Sequence, residues 1–305
     1  MLTYYGSAGF VIRYGEHAFL TGGMVSNPGL LRTYFGRAVA DSTQIRRFFD
    51  SIDMRGVELA LIGHSHHDHL MDVPAIVRRY APNAVIVGST TTRNLLAGDS
   101  ALRVIALGGD TIATRDRPGI PVTFPVTGLP RFRVIALSWA HAPNFEGYTF
   151  AGGHQRTPLT APPRSARHWA RGNVYAYIID VLRPDETTAF RIHFSDAAAS
   201  WRRAPIGALP DDAATRIAIV SAGNFDWAPD YPRSLLRWFH PHTTILAHWE
   251  TFFARHAPKG ATPTAIPGLR TALLSHVMNA GVPAGTPWVT PVPGATVKIC
   301  EHGAR

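Results

Sequence analysis

Cysteine is almost missing from this chain. Cys300 is the one cysteine in 305 residues, so no disulfide can close within it and a reducing compartment is expected. No apolar stretch reaches the ~18 residues that a membrane-spanning helix needs. Near the N-terminus, Arg13 and Glu16 interrupt the one apolar run, so no secretory leader is read there and cytoplasmic location is the default expectation. There is no repeat of fixed period and no low-complexity tail. Acidic residues are comparatively few, 21 against 30 lysines and arginines, which leaves a formal charge of +9. Arginine supplies most of it. This balance favours a small anionic substrate through long-range attraction and is compatible with peripheral contact at an anionic membrane. It equally fits a base-composition bias of the genome. Self-association is left open, and no specific nucleic-acid partner is expected. Hydrophobic residues make up 46% of the chain, enough for one large domain over 1–305.

The densest chemistry is the string Leu61-Ile-Gly-His-Ser-His-His-Asp-His-Leu70. It puts several imidazoles and a carboxylate directly after the apolar run 57–62, which reads as a strand ended by Gly63. A turn after a strand can fold several ligands toward one point. His64 and His66 would hold one ion, and Asp68 and His69 a second beside it. Outside a metal site each buried imidazole would cost desolvation for nothing. The nitrogen and oxygen donors suit zinc, with manganese and iron as alternatives. His67 is expected to point away from the ions, and Ser65 to serve the turn.

The string resembles the signature of the metallo-β-lactamase superfamily of metallohydrolases. The resemblance implies three further ligands. His141, after the run Phe132–Leu137, would complete the first site. Asp196, ending Phe190-Arg-Ile-His-Phe-Ser-Asp196, would bridge both ions. His248, after Thr243-Thr-Ile-Leu-Ala247, would complete the second. His154 and His168 compete with His141, which is preferred because it follows a strand. The words Ala247-His-Trp-Glu-Thr-Phe252 and Tyr4-Tyr-Gly-Ser-Ala-Gly-Phe-Val-Ile12 look most like the branch containing N-acyl phosphatidylethanolamine phospholipase D and the L-ascorbate-6-phosphate lactonase type of enzyme. The resemblance runs from about residue 2 to 253. It departs at Leu20-Thr-Gly-Gly23, where the branch usually carries an Asp-Pro that supports the metal loop, and at Ser195, where glycine is common. Another group must therefore support the loop here.

The implied fold is α/β: two packed mixed sheets with helices outside, in αβ/βα order. The local patterns agree. Strands are read within 2–22 and at 57–62, 84–88, 103–106, 120–125, 132–139, 173–181, 188–195, 216–220 and 243–247. Helices are read at 42–52, 71–80, 90–96 and 231–239. Residues 287–300 read as two strands about a Pro-Gly turn that close one sheet edge. The segment 142–172 is rich in proline, glycine and arginine (Arg156, Arg164, Arg167, Arg171), and reads as a lid that brings cationic contacts to the substrate.

The implied chemistry is hydrolysis by hydroxide shared between two divalent ions, which lower the pKa of water to near 7. Asp68 would also orient that nucleophile. A phosphodiester or phosphorylated small molecule is the leading substrate class. A lactone or ester hydrolase, a nuclease and a non-catalytic metal-stabilised binding protein are the alternatives. Phe252, Phe253, Trp227 and Trp238 would furnish an apolar groove for a lipid. His193 is expected in the core or behind a ligand. Asn224 and Asp226 are expected near the site. His240, His242 and His256 flank the last ligand, and one of them would assist a leaving group if it is not merely a surface histidine.

Overall fold

The computed structural model describes residues 1–305 except 126–130, 144–148, 201–214, 256–262, 283–284, 301–302 and 305. The first sheet begins with three antiparallel strands, β1 (Leu2–Gly6), β2 (Gly9–Tyr14) and β3 (His17–Thr21). It continues in parallel through β4 (Val57–Leu61), β5 (Val85–Gly88) and β6 (Arg103–Ala106). In the second sheet, β7 (Ile112–Ala113) and β8 (Val122–Phe124) pair one after the other along the same edge of β9 (Phe132–Trp139). The order then runs through β10 (Val174–Leu182), β11 (Thr188–Phe194), β12 (Thr215–Ser221) and β13 (Thr243–Ala247) to β14 (Trp288–Val289). A further strand, β15 (Thr296–Val297), pairs with β1, and β16 (Ile299–Cys300) pairs with β17 (Gly303–Ala304).

Alternation along each strand builds the layers. Leu59 and Leu61 of β4 point into a core shared with Phe132, Tyr177, Ile192 and Ile245 of the second sheet. Ala60 and Ile62 point the other way, onto α2 (Ser42–Phe49), α4 (Val73–Tyr80) and α5 (Thr90–Leu96). The second sheet turns Ile178, Ala218 and Leu246 outward onto α6 (Arg233–Phe239) and α7 (Thr271–Gly281). Strands covered on both faces read as near-continuous apolar runs, which is why Leu59–Ile62 and Ile245–Ala247 stand out in the sequence. Two short helices complete the set, α1 (Leu30–Phe35) and α3 (His67–Leu70).

The read elements recur within a few residues. Helix α2 starts where expected because the Asp41 carboxylate accepts from the Thr43 and Gln44 amides at 2.9 and 3.2 Å; it stops at Phe49 rather than 52. The C-terminal stretch differs from expectation. Its two strands do not pair with each other: Trp288 lies beside Thr244 in the second sheet, and Thr296 beside Thr3 in the first. The Pro-Gly turn bends against the first sheet instead, with the Gly294 amide donating to the Tyr4 carbonyl at 2.8 Å. The stretch is a strap that finishes an edge of each sheet. Helices α1 and α7 carry no side-chain N-cap, so no local start signal marks them. Among the described residues no helix is long and apolar enough to cross a membrane.

Strands β4, β9, β11 and β13 all run so that their C-terminal ends meet at one edge of the sandwich. The sheets are tied there by the Tyr175 amide on the Gly63 carbonyl (2.8 Å) and the Tyr177 hydroxyl on the Ile62 carbonyl (2.7 Å).

Candidate metal centre

Each of those four strand ends delivers a side chain to one place. His64, His66 and His141 present ring nitrogens within 4.8 Å of one another; so do the donor atoms of Asp68, His69 and His248, and those of His64, His69 and Asp196. His64 Nε2 faces His66 Nδ1 at 3.0 Å, and the His141 ring lies 4.8 and 5.1 Å from those of His64 and His66. Asp68 Oδ2 sits 3.3 Å from His69 Nε2 and 3.2 Å from His248 Nε2. Asp196 reaches both groups, with Oδ1 2.9 Å from His64 Nδ1 and Oδ2 3.7 Å from His69 Nδ1. The Asp196 carboxylate lies against Gly63, where a methyl group would collide with it.

The histidines are buried and short of partners. His66 Nε2, His69 Nδ1 and His248 Nδ1 have no hydrogen-bond partner among the described residues. Burial and neighbouring histidines hold His64 and His66 well below the usual imidazole range, and burial takes His69 to about 3. His248 moves up instead: burial pulls it down, but the hydrogen bond and charge of Asp68 outweigh that. Burial lifts Asp196, while the histidines around Asp68 hold that carboxyl well below its usual range despite its own burial. Imidazoles and carboxylates facing one another across a few ångströms are a donor set for divalent cations, and suit zinc, manganese or iron.

The remaining sequence candidates divide. His154 and His168 are exposed, away from the cluster. His67 joins none of the three donor groups, yet it is buried, with Nδ1 3.7 Å from Asp68 Oδ1. Ser65 serves the turn: its amide donates to the Arg171 carbonyl and its hydroxyl pairs with Thr92 at 2.8 Å. Gly223 borders the His248 ring, whereas Asp226 in the same loop is exposed. His240 and His242 precede β13 and His248 follows it, so they stand at the opposite end of a strand and cannot reach a leaving group. His256 lies outside the described residues. The expected aromatic groove is corrected. Trp238 belongs to α6 on the outer face and packs on Phe239, while Phe252 reaches the centre (5.4 Å from the His248 ring) and continues through Phe253 to Tyr34 and Phe150.

No family model matches this chain, and neither does any curated protein sequence. Solved structures do. Igni18, a metallo hydrolase from the hyperthermophilic archaeon Ignicoccus hospitalis, is similar over 97% of this chain and 96% of its own, at 14% identity and a TM-score of 0.52. YhfI from Bacillus subtilis, a metallo-beta-lactamase fold protein, follows at 12% identity over 96% and 94%, TM-score 0.48. Zinc-bound PqqB from Methylobacterium extorquens stands at 9% identity over 95% and 86%, TM-score 0.46. The chain has the metallo-β-lactamase fold.

Within that metallo-β-lactamase fold, the Leu20-Thr-Gly-Gly23 departure has a physical account. Thr21 spends its hydroxyl on strand pairing, accepting from the Phe10 amide and donating to the Ala8 carbonyl, both at 2.9 Å. Gly22 packs against the metal loop by backbone alone: a methyl there would meet the His69 carbonyl at 2.5 Å. Asp72, a residue the sequence did not single out, ties the chain just after the His64–His69 loop to residues 25 and 26. Its oxygens accept from the Val25 amide, the Ser26 amide and the Ser26 hydroxyl at 2.8, 2.8 and 2.6 Å. Burial pushes its carboxyl up to about 6 against the pull of those donors.

A second group escaped the sequence reading. His248 has a positive φ of 55°, a conformation that costs a non-glycine residue of order 1 kcal/mol or more unless its surroundings enforce it. Its amide donates to the buried Tyr4 hydroxyl at 3.0 Å, and that hydroxyl donates to Glu250 Oε2 at 2.6 Å. Glu250 Oε1 takes the Ser7 amide at 2.8 Å. The two sequence words quoted above therefore interlock across the molecule. Tyr4→Phe should lower metal affinity about tenfold, a typical result for losing a group behind a ligand. Chelator competition measures this, and unchanged affinity would remove Tyr4 from the centre's support.

His193 is core, stacked 4.3 Å from the Phe239 ring, with neither ring nitrogen partnered among the described residues. Burial draws its pKa down to about 3. The unfolded chain binds the proton from about pH 6.5 downward and the folded one does not, so stability present above that pH drains as pH falls toward 3. From pH 6.5 to 5 this amounts to about 2 kcal/mol. His193→Leu should flatten the acid limb of a plot of Tm against pH; parallel curves for the two proteins would contradict it.

Proposed function

We propose that this protein is a dinuclear metal-dependent hydrolase acting on a phosphodiester or a phosphorylated small molecule. One observation carries the reading: the middle donor group takes His64 from one triad and His69 from the other, with Asp196 shared between them. Two adjacent cation sites joined by a carboxylate would account for that arrangement. His64, His66 and His141 would hold one ion; Asp68, His69 and His248 would hold the other. Divalent cations held there supply Lewis acidity and a hydrolytic nucleophile from water near neutral pH. Asp68 engages His69 and His248 through Oδ2, and its Oδ1, 3.7 Å from His67 Nδ1, would orient the attacking water.

An anionic substrate is favoured by Arg171. Its charge bears on His64 and His141, and its Nε is buried without a partner among the described residues. Its carbonyl also anchors Ser65 of the metal loop at 2.9 Å. The Trp-Glu-Thr-Phe words after His248 keep the phospholipase D and phosphorylated-lactone branch as the finer reading.

The test pairs metal removal with a substrate choice. Protein stripped by chelator should fail to cleave bis(p-nitrophenyl) phosphate, and zinc or manganese should restore cleavage. Lactone opening without phosphodiester turnover would move the assignment to the lactone and ester class. A folded chain holding less than one ion after gentle purification, and inert toward both, would make it a binding protein.

A further inference from the structure

Helix α1 is amphipathic in the wrong sense. Its polar Thr33 is buried, and that hydroxyl is spent on the Gly29 carbonyl at 2.8 Å. Leu30, Leu31 and Phe35 are 52, 75 and 82% exposed, and Val39 just beyond is 38% exposed. On a helix of 3.6 residues per turn, Leu30, Leu31, Tyr34 and Phe35 fall on one side. Isolated exposed apolar side chains are ordinary, but a contiguous group of large ones marks an interaction surface.

The exposed charged side chains beside this face are basic, and the nearest carboxylate along the chain, Asp41, is engaged in capping α2. Arg32 and Arg37 are exposed on the same stretch. Arg164 and Arg167 are brought beside it, the first by its carbonyl accepting from the Ala38 amide at 3.0 Å, the second by its guanidinium donating to the Tyr34 carbonyl at 3.2 Å. None of these four arginines has an ion-pair partner among the described residues. Residues 17–40 and 147–179 contain no aspartate or glutamate. The apolar face also adjoins the aromatic track to the metal centre, since the Tyr34 ring lies 5.8 Å from Phe253 and 5.4 Å from Phe150.

We propose that α1 and its surrounding arginines dock this protein on an anionic lipid bilayer. Leu30, Leu31, Phe35 and Val39 would enter the acyl boundary, and Arg32, Arg37, Arg164 and Arg167 would meet the headgroups. Apolar side chains and basic charge acting together are the combination that holds a peripheral protein at such an interface. A second copy of the chain fits worse. A two-fold contact would set the four arginines against themselves, and four side chains fall short of the about 800 Å² per partner of a stable interface. The inference is independent of the hydrolase assignment, because neither metal nor turnover enters the measurement.

Vesicle co-sedimentation tests it, with mixed phosphatidylcholine and phosphatidylglycerol against pure phosphatidylcholine. The protein should bind the anionic vesicles at least tenfold better. The pair L31S and F35S together should weaken that binding at least tenfold with an unchanged circular dichroism spectrum, and R32E with R37E should abolish the preference for anionic lipid. Wild-type protein that stays in the supernatant with both vesicle types overturns the proposal, as does a serine pair that binds like wild type. Dimerisation without lipid that the serine pair abolishes assigns the face to a second copy and also overturns it. Should the serine pair fail to fold, F35W keeps the face apolar. Its emission should shift to the blue on adding anionic vesicles, and an unshifted spectrum counts against the proposal.

Discussion

Gly63→Ala should strip the centre of at least one ion and cut turnover more than 100-fold, while leaving secondary structure intact. The added carbon would lie well inside 3.0 Å of both oxygens and the carboxyl carbon of Asp196. Neither partner has room to yield. Asp196 is wholly buried between His64 and His69, and Gly63 is pinned by its carbonyl to the Tyr175 amide at 2.8 Å. The carboxylate must swing away from the position it shares between the two triads, and a misplacement of about 1 Å costs on the order of 100-fold in rate. The penalty on folding is smaller, about 1–3 kcal/mol for overpacking. Metal analysis and unfolding in the presence of chelator separate the two effects. A variant with full metal content and wild-type turnover would show that Asp196 is not where the chemistry happens.

Asp180→Ala should act in the opposite manner, costing stability and sparing the centre. Asp180 sits in β10 directly across from Arg133 of β9 and Arg191 of β11. Its oxygens take Arg191 at 2.6 and 2.8 Å and Arg133 at 2.9 and 2.6 Å. Its side chain is fully buried, and that of Arg191 is 3% exposed. Without the carboxylate two guanidinium groups face each other across a strand, Arg191 buried and Arg133 20% exposed. Removing one partner of a buried pair costs about 3–5 kcal/mol, which lowers Tm by on the order of 10 °C in a domain of this size. Asp180→Asn should fall between wild type and alanine, since it keeps acceptors but not the charge. A melting temperature within a degree or two of wild type for Asp180→Ala would mean that water or other groups replace the pair.

What could be read ahead of the structure was whatever is written locally. The ligand loop was visible because its own residues are the donors and β4, apolar on both faces, announces it. His141, Asp196 and His248 came from a resemblance, each at the end of an apolar run; no local feature says that those runs converge. The supports of the centre were invisible for the same reason. Tyr4 and Glu250 are separated by 246 positions, and Asp72 looks like any polar residue before a helix. The C-terminal strap misled because a Pro-Gly turn speaks only for its own few residues, not for which sheet each arm joins. Helix α1 hides in sequence because its apolar side faces outward, so the usual inference from apolar pattern to core runs backwards there.

The clasp between Tyr4 and Glu250 orders events during synthesis. The first strand leaves the ribosome early and the loop at 64–69 soon after, but the seat of His248 exists only once residue 250 has emerged and folded back onto the N-terminal strand. A truncated or nascent polypeptide therefore offers the first triad no completed neighbour, and the donor set is whole only once residue 250 is in place.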